Sequence, residues 1–296
     1  MIELRVNVDP SLTDALGTCL FEAGAEGVAE QEDDNGSWLV LYCTDPEQAT
    51  RLTTAIDDFR SRARLALPEA EVGPVQRTEA TRDWEATWLA ALRPTRVTDE
   101  LVLRPTHAGP APPGERTLWF EPAPCFGAGD HATTRLAARA VERAIMDRAA
   151  LETMTGSGEL DLLDVGTGSG VLCLVAARSG AARTWGIDID AIAVTAAAQN
   201  AELNGLSDRC HFSATPLSAV GERSPLVVAN IDARTLQELA LPLLTHVTPA
   251  GVLLLTGLLE EQEQEVLDGF LAQGARLEGR DQEGDWVLLR LRPSSG

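Results

Sequence analysis

Leu162-Leu163-Asp164-Val165-Gly166-Thr167-Gly168-Ser169-Gly170-Val171 is the stretch that decides the fold. An apolar run enters three alternating glycines, and these open onto a second apolar run, Val171 to Ser179. That is the pattern of a strand, a tight turn and a helix. Glycines at such a turn let the backbone bend sharply and approach a ligand with no Cβ in the way. Twenty-two residues after Gly166 stands Asp188, closing the run Trp185-Gly186-Ile187-Asp188. A doubly wound sheet uses this strand end for the carboxylate that binds both hydroxyls of a ribose.

On either side of this turn, strands and helices alternate. Strands are expected at Leu160–Val165, Thr184–Asp188, Cys210–Phe212, Leu226–Ala229 and Val252–Thr256. Helices are expected at Thr133–Arg148, Val171–Ser179, Ala191–Asn204, near Leu217, at Leu236–Val247 and at Glu260–Gln273. Such alternation implies a parallel sheet buried on both faces. Arg276–Arg280 and Trp286–Leu291 are two strands too close together for a parallel crossover, so one strand runs antiparallel.

The first 76 residues read as a separate unit. Ile2, Leu4, Val6 and Val8 alternate as on a strand, and a helix from Pro10-Ser11 follows, stopped by Gly24. Gly27–Gln31, the turn Asp33-Asp34-Asn35-Gly36 and Trp38–Cys43 make a hairpin. A helix over Pro46–Leu67 and a strand over Glu71–Gln76 complete βαββαβ, the order of a ferredoxin-like fold. Residues 77–116 are expected to hold a linker helix, Thr81–Leu92, with Trp84 and Trp88 on one packing stripe, then connecting strands. The catalytic domain is expected over 117–296.

The 296 residues carry a formal net charge of −21, and all 24 basic residues are arginines. The first 76 residues hold 15 acidic and 5 basic ones, about half of that net charge. A chain this acidic is repelled by phosphate backbones, which disfavours direct nucleic-acid binding, and it attracts basic proteins. An acidic composition that serves only solubility is the plainer alternative. No apolar run reaches the ~20 residues of a membrane helix, and the N-terminus lacks the order of a signal peptide, so a cytoplasmic protein without a membrane partner is expected. Five scattered cysteines with no C-x-x-C pair give neither a zinc site nor a disulfide framework.

The glycine spacing separates two cofactors. A dinucleotide loop is G-x-G-x-x-G, whereas here the third glycine is Gly170 and that position holds Val171. Asp164 lies two residues before the first glycine. An acidic loop residue opposes a pyrophosphate but suits the ammonium of a sulfonium amino acid. D-x-G-x-G-x-G resembles the first motif of class I methyltransferases, which implies S-adenosylmethionine as cofactor. The fold expected is therefore α/β, a doubly wound, seven-stranded class I methyltransferase sheet with an N-terminal ferredoxin-like α+β domain.

A second segment narrows this reading. Glu121-Pro122-Ala123-Pro124-Cys125-Phe126-Gly127-Ala128-Gly129-Asp130-His131-Ala132-Thr133-Thr134-Arg135 is similar to the P-x-x-x-F-G-T-G-x-H-x-T-T loop of the PrmA family, bacterial enzymes that methylate protein eleven of the large ribosomal subunit. Val227-Val228-Ala229-Asn230-Ile231-Asp232-Ala233 resembles that family's V-V-A-N-I-L-A. Asp83-Trp84-Glu85 with Trp88, Leu255 to Leu259 with Gln262, and Trp286 add three more matches, so the resemblance spans nearly the whole chain. Ala128, Asp130, Ala132 and Asp232 depart from the pattern, and Leu151–Gly158 looks inserted.

The resemblance implies cofactor contacts at Thr134, Gly166, Asp188 and Asn230. Gly168 joins the set from the loop itself. Phe126 is included as well, although it reads equally as a core anchor or a lid. His131 is either an ordinary loop histidine or a site residue. Thr133 is explained at least as well as a helix N-cap.

Methyl transfer needs in-line attack on an activated methyl, so positioning supplies much of the catalysis. Asn230 closes the fourth strand at the ligand crevice, where its amide can accept a bond from an incoming amine, and it is the candidate catalytic residue. Base methyltransferases carry N-P-P-Y or D-P-P-Y at this point, with an aromatic to stack a flipped base. Ala229-Asn230-Ile231-Asp232 has neither the prolines nor the aromatic. The expected function is methylation of lysine side chains and/or the N-terminal amine of the ribosomal protein, a basic partner. The alternatives are a lysine methyltransferase with another protein target and a non-catalytic cofactor-binding module.

Overall fold

The computed structural model describes residues 2–25, 28–33, 36–43, 45–67, 70–79, 92–122, 131–147 and 161–294. They fall into two compact units, Met1–Ala91 and Leu92–Gly296. The expectations at Phe126, Trp84, Trp88, the helix over 81–92 (save its last residue) and the insertion over 151–158 lie outside the described residues.

The first unit holds β1 (Ile2–Asn7), α1 (Thr13–Glu22), β2 (Ala29–Asp33), β3 (Gly36–Cys43), α2 (Pro46–Ala66) and β4 (Gln76–Glu79). Its sheet runs in the order β2-β3-β1-β4, all antiparallel. This is the ferredoxin-like arrangement that the βαββαβ order implies. Leu4 and Val6 of β1, with Leu39 and Leu41 of β3, pack with Leu16, Leu20, Leu52 and Ile56 of the helices into one core. Asp45 caps α2 by accepting from the backbone N–H groups of Glu47 and Gln48. The last strand lies at Gln76–Glu79 rather than 71–76, because Val72 makes only an isolated bridge to Val8 before the chain turns.

The second unit opens with β5 (Thr95–Arg96), β6 (Leu101–Pro105) and β7 (Arg116–Phe120), a three-stranded sheet with β6 and β7 parallel. The expected boundary at residue 116 falls at the start of β7, whose pairing with β6 keeps both strands in this unit. Then come α3 (Ala132–Met146), β8 (Asp161–Val165), α4 (Val171–Ser179), β9 (Arg183–Ile187), α5 (Ala191–Leu203), β10 (Cys210–Ser213) and β11 (Ser224–Asn230). α6 (Ala233–Glu238), α7 (Ala240–Thr245), β12 (Val247–Leu259), α8 (Glu263–Ala272), β13 (Ala275–Glu283) and β14 (Trp286–Pro293) complete it.

The large sheet has seven strands in the order β10-β9-β8-β11-β12-β14-β13. β14 alone is antiparallel to its neighbours β12 and β13. β8, β11 and the second half of β12 are buried along most of their length, as strands inside a doubly wound parallel sheet are. From β8 the chain winds first toward β10 and then returns to β11. The order therefore reverses between β8 and β11, which opens a crevice at their C-terminal ends.

Two differences from the sequence reading have local causes. The single helix expected at Leu236–Val247 is two short ones, α6 and α7, broken at Leu239. Pro242 has no N–H to bond the carbonyl of Glu238, so one continuous helix is not available. β12 begins five residues early, at Val247 rather than Val252, because Val247 already pairs with Ser224 at the start of β11, ahead of a shift in register before Leu226. Beside the small sheet, α5 stands against the open side of β7. Trp119 N–H donates to Asn204 Oδ1 at 2.8 Å, and Asn204 Nδ2 donates back to Trp119 O at 2.6 Å. Glu121 N–H donates to Asn200 Oδ1 at 2.8 Å.

Candidate functional site

A cavity of about 750 Å³ opens at the C-terminal ends of β8, β9 and β11, where the strand order reverses. Gly166, Gly168, Asp188 and Asn230, four of the predicted residues, line it. His131 and Trp286 line it too. The structure brings these residues together from segments 155 positions apart.

The glycine loop is shaped by steric need. Gly166 has φ of +76°, and a Cβ there would overlap Ile231 Cγ2. Gly166 and Thr167 both donate their N–H groups to the carbonyl of Ile187, which ties the loop to the end of β9. Gly168 N–H donates to Asp188 Oδ2 at 2.9 Å, and Asp190 N–H donates to Asp188 Oδ1 at 3.0 Å. Asp188 is thus held in place by two backbone donors, one per oxygen. A carboxylate has about four acceptor sites, so both oxygens retain one for a ligand hydroxyl.

Asp164 behaves differently from the expectation. It is fully buried, does not line the cavity, and accepts from Thr167 Oγ1 at 2.7 Å. Burial first, and the Asp188 charge after it, raise its carboxyl to about 7 in spite of the Thr167 and Cys173 bonds, which lower it. The residue read from sequence as facing a ligand ammonium is instead a buttress under the loop.

Asn230 ends β11 opposite Thr256 of β12. Its Oδ1 is buried and has no hydrogen-bond partner among the described residues. Thr256 Oγ1 donates to Val287 O at 2.7 Å and so links this strand end to β14. Asp232 caps α6, accepting from Thr235 N–H at 3.0 Å and Thr235 Oγ1 at 2.6 Å. Partial burial works against its charge, but those bonds outweigh it and hold the carboxyl below its ordinary value. The departure at Asp232 therefore serves a helix start beside the cavity.

At the start of α3 the N-cap is His131, not Thr133. His131 accepts from Thr133 N–H and its Nδ1 lies 2.8 Å from Thr133 Oγ1. Its ring packs edge-to-face on Trp286, with centroids 4.6 Å apart. Thr133 lines the cavity, whereas Thr134 is fully buried and does not, and its Oγ1 has no partner among the described residues. The rest of the wall is mostly apolar, with Asp190, Thr215, Ser218, Asp232 and Thr235 set among the apolar residues. Ile189 is 92% exposed and joins Pro216 and Leu217 there. Sequence reasoning passed over Ile189. The signal was an isoleucine between two aspartates at a strand end, an exposed site for a side chain that is ordinarily buried.

A seven-stranded sheet of this order, with a glycine loop, an acidic end to the next strand and an asparagine after the fourth, defines a class I methyltransferase. Family comparison narrows the class. The profile of the family described as ribosomal protein L11 methyltransferase (PrmA) matches residues 1–293. The chain belongs to that family. It is 32% identical to the ribosomal protein L11 methyltransferase of Pelobacter propionicus, covering 98% of this chain and 97% of the relative. It is 41% identical to that of Geotalea daltonii, covering 71% and 67%. The crystal structure of a ribosomal protein L11 methylase from Lactobacillus delbrueckii subsp. bulgaricus superposes with a TM-score of 0.60 at 27% identity, covering 69% of this chain and 100% of that one.

Proposed function

We propose that this chain transfers methyl groups from S-adenosylmethionine to amines of ribosomal protein L11, on lysine side chains and/or the N-terminus. The observation that carries this reading is the unpartnered Oδ1 of Asn230, buried at a cavity that also holds the Asp188 carboxylate. A buried carbonyl oxygen without a donor costs about 1–3 kcal/mol, and a ligand N–H would relieve that cost. The residues fit the cofactor. Asp188 suits the ribose hydroxyls, the apolar wall of Ile189, Pro216 and Leu217 suits adenine, and Gly166 and Gly168 admit close approach. Once bound, the cofactor supplies an activated methyl group. The protein then has to exclude water, hold the amine in line and accept hydrogen bonds from it, which is the part given to Asn230. Thr134 supports the site from within the core, beside the cavity-lining Thr133.

The first unit, acidic by composition, is proposed to recognise the basic ribosomal protein through charge complementarity. The test is incubation with labelled S-adenosylmethionine and purified L11, followed by mapping of the labelled residues. The chain contains no lysine of its own, so label found on a lysine belongs to the substrate. A truncated chain beginning at Leu92 should keep its cofactor affinity and turn over L11 poorly. Absence of label on L11, with label on another protein, would reassign the target. Equal turnover by truncated and full-length chains would remove the recognition role from the first unit.

A further inference from the structure

Arg135, Arg139 and Arg143 lie four residues apart on one stripe of α3. Successive positions on that stripe advance by about 6 Å. On β13, Asp281 and Glu283 are two residues apart on one face, a step of about 7 Å. The two repeats nearly match, so the arginine stripe meets the carboxylates rung by rung. Arg135 Nε donates to Glu283 Oε1 at 2.7 Å and Arg139 Nη1 donates to Glu283 Oε2 at 2.9 Å. Arg143 Nη1 reaches Asp281 Oδ1 at 3.4 Å, and Arg290 Nη2 reaches Asp281 Oδ2 at 3.5 Å. The rung at Glu283 is the tight one, with both oxygens engaged by two guanidiniums one helical turn apart.

What these elements carry to the cavity gives the rung its meaning. α3 is capped by His131, four residues before Arg135. Glu283 stands directly opposite Trp286 in the β13–β14 register, so the two side chains leave the same face of the hairpin. His131 and Trp286 touch edge-to-face on the cavity wall. One carboxylate therefore fastens the helix that presents the histidine to the hairpin that presents the tryptophan.

The geometry points to Glu283 as a positioning residue that sets the spacing of the His131–Trp286 pair, and through it the wall beside Asn230 where the amine enters. The effect on turnover rests on the methyltransferase reading above; the effect on the ring pair does not. Proton NMR of the cofactor-free protein separates the two. The chain has only four histidines, and His131→Gln identifies the His131 signals. In the unaltered protein the Trp286 ring current should displace them from those of the other three. Glu283→Gln should reduce that displacement by at least half, and Arg135→Gln, which leaves the hairpin sequence unchanged, should reproduce the loss. Asp281→Asn, one rung further from the cavity, should not. With L11 as substrate, Glu283→Gln should lower kcat at least tenfold while the Kd for S-adenosylmethionine stays within twofold, and Asp281→Asn should keep kcat within twofold. An unchanged His131 displacement in both Glu283→Gln and Arg135→Gln would overturn the inference. So would an equal loss in Asp281→Asn, which would mark the ladder as general stabilisation. If the unaltered protein does not methylate L11, the substrate assignment fails and the ring-current result alone decides the role of Glu283.

Discussion

Replacing Asp188 with asparagine looks conservative, and the structure says that it is not. Both carboxylate oxygens accept a backbone N–H, from Gly168 at 2.9 Å and from Asp190 at 3.0 Å. A carboxamide has one acceptor oxygen and one donor nitrogen. Whichever way it turns, its NH2 group faces one of those N–H donors. The side chain therefore leaves its seat, and the ribose loses an anionic acceptor. A hydrogen bond to a charged group contributes about 1.5–3 kcal/mol, and ~1.4 kcal/mol is tenfold in affinity. Asp188→Asn should thus weaken S-adenosylmethionine binding roughly 10- to 100-fold, close to the loss for Asp188→Ala. Because the site is partly open to water, the cost in stability should be only about 1 kcal/mol or a few degrees in Tm. Isothermal titration calorimetry of the three proteins measures this. Affinity within twofold of the unaltered protein for Asp188→Asn would refute the reasoning, since it would mean that the carboxylate's two-sided seating has no part in cofactor binding.

Three further outcomes follow from the same geometry. Asn230→Ala should lower kcat at least tenfold with a much smaller change in cofactor Kd, and equal losses in both would reduce Asn230 to a binding contact. Asp164 keeps its proton up to about pH 7 in the folded chain against an ordinary 3.8. Its contribution to stability is therefore whole below about pH 4 and is lost as the pH rises through 7, on the order of 4 kcal/mol in total. Asp164→Asn should flatten the fall in Tm between about pH 4 and 7, and melts that keep the original slope there would contradict this. Gly166→Ala forces a Cβ into Ile231 at a left-handed φ, so a loss of about 1–3 kcal/mol in stability is expected by denaturant titration, together with weaker cofactor binding.

The parts of this molecule that were legible in sequence are those written locally. The glycine loop and Asp188 are a spacing within one strand-turn-helix-strand unit, and both reach the cavity. The βαββαβ order of the first unit follows from short-range periodicity and turns, although its last strand slipped by five residues because Val72 alternates like a strand without pairing as one. The break between α6 and α7 was written at Pro242 and could have been read. The His131–Trp286 contact could not, because it depends on β14 entering between β12 and β13 and on where α3 crosses the sheet. Asp164 shows a second limit. A carboxylate beside a glycine loop reads the same whether it faces a ligand or the core, and only the Thr167 hydroxyl and the burial around it decide.

Asn200 of α5 and Asn204, which caps its C-terminus, have a consequence beyond shape. β7 is the outer strand of its small sheet, and such a strand ordinarily offers a row of free N–H and C=O groups to any other extended chain. Here that row is answered from a helix. The carboxamides of Asn204 and Asn200 take the place of a neighbouring strand's peptide groups, at Trp119 and at Glu121. The edge is thereby closed to self-association without a further strand, and exchanging both asparagines for alanine would reopen it as a template for aggregation.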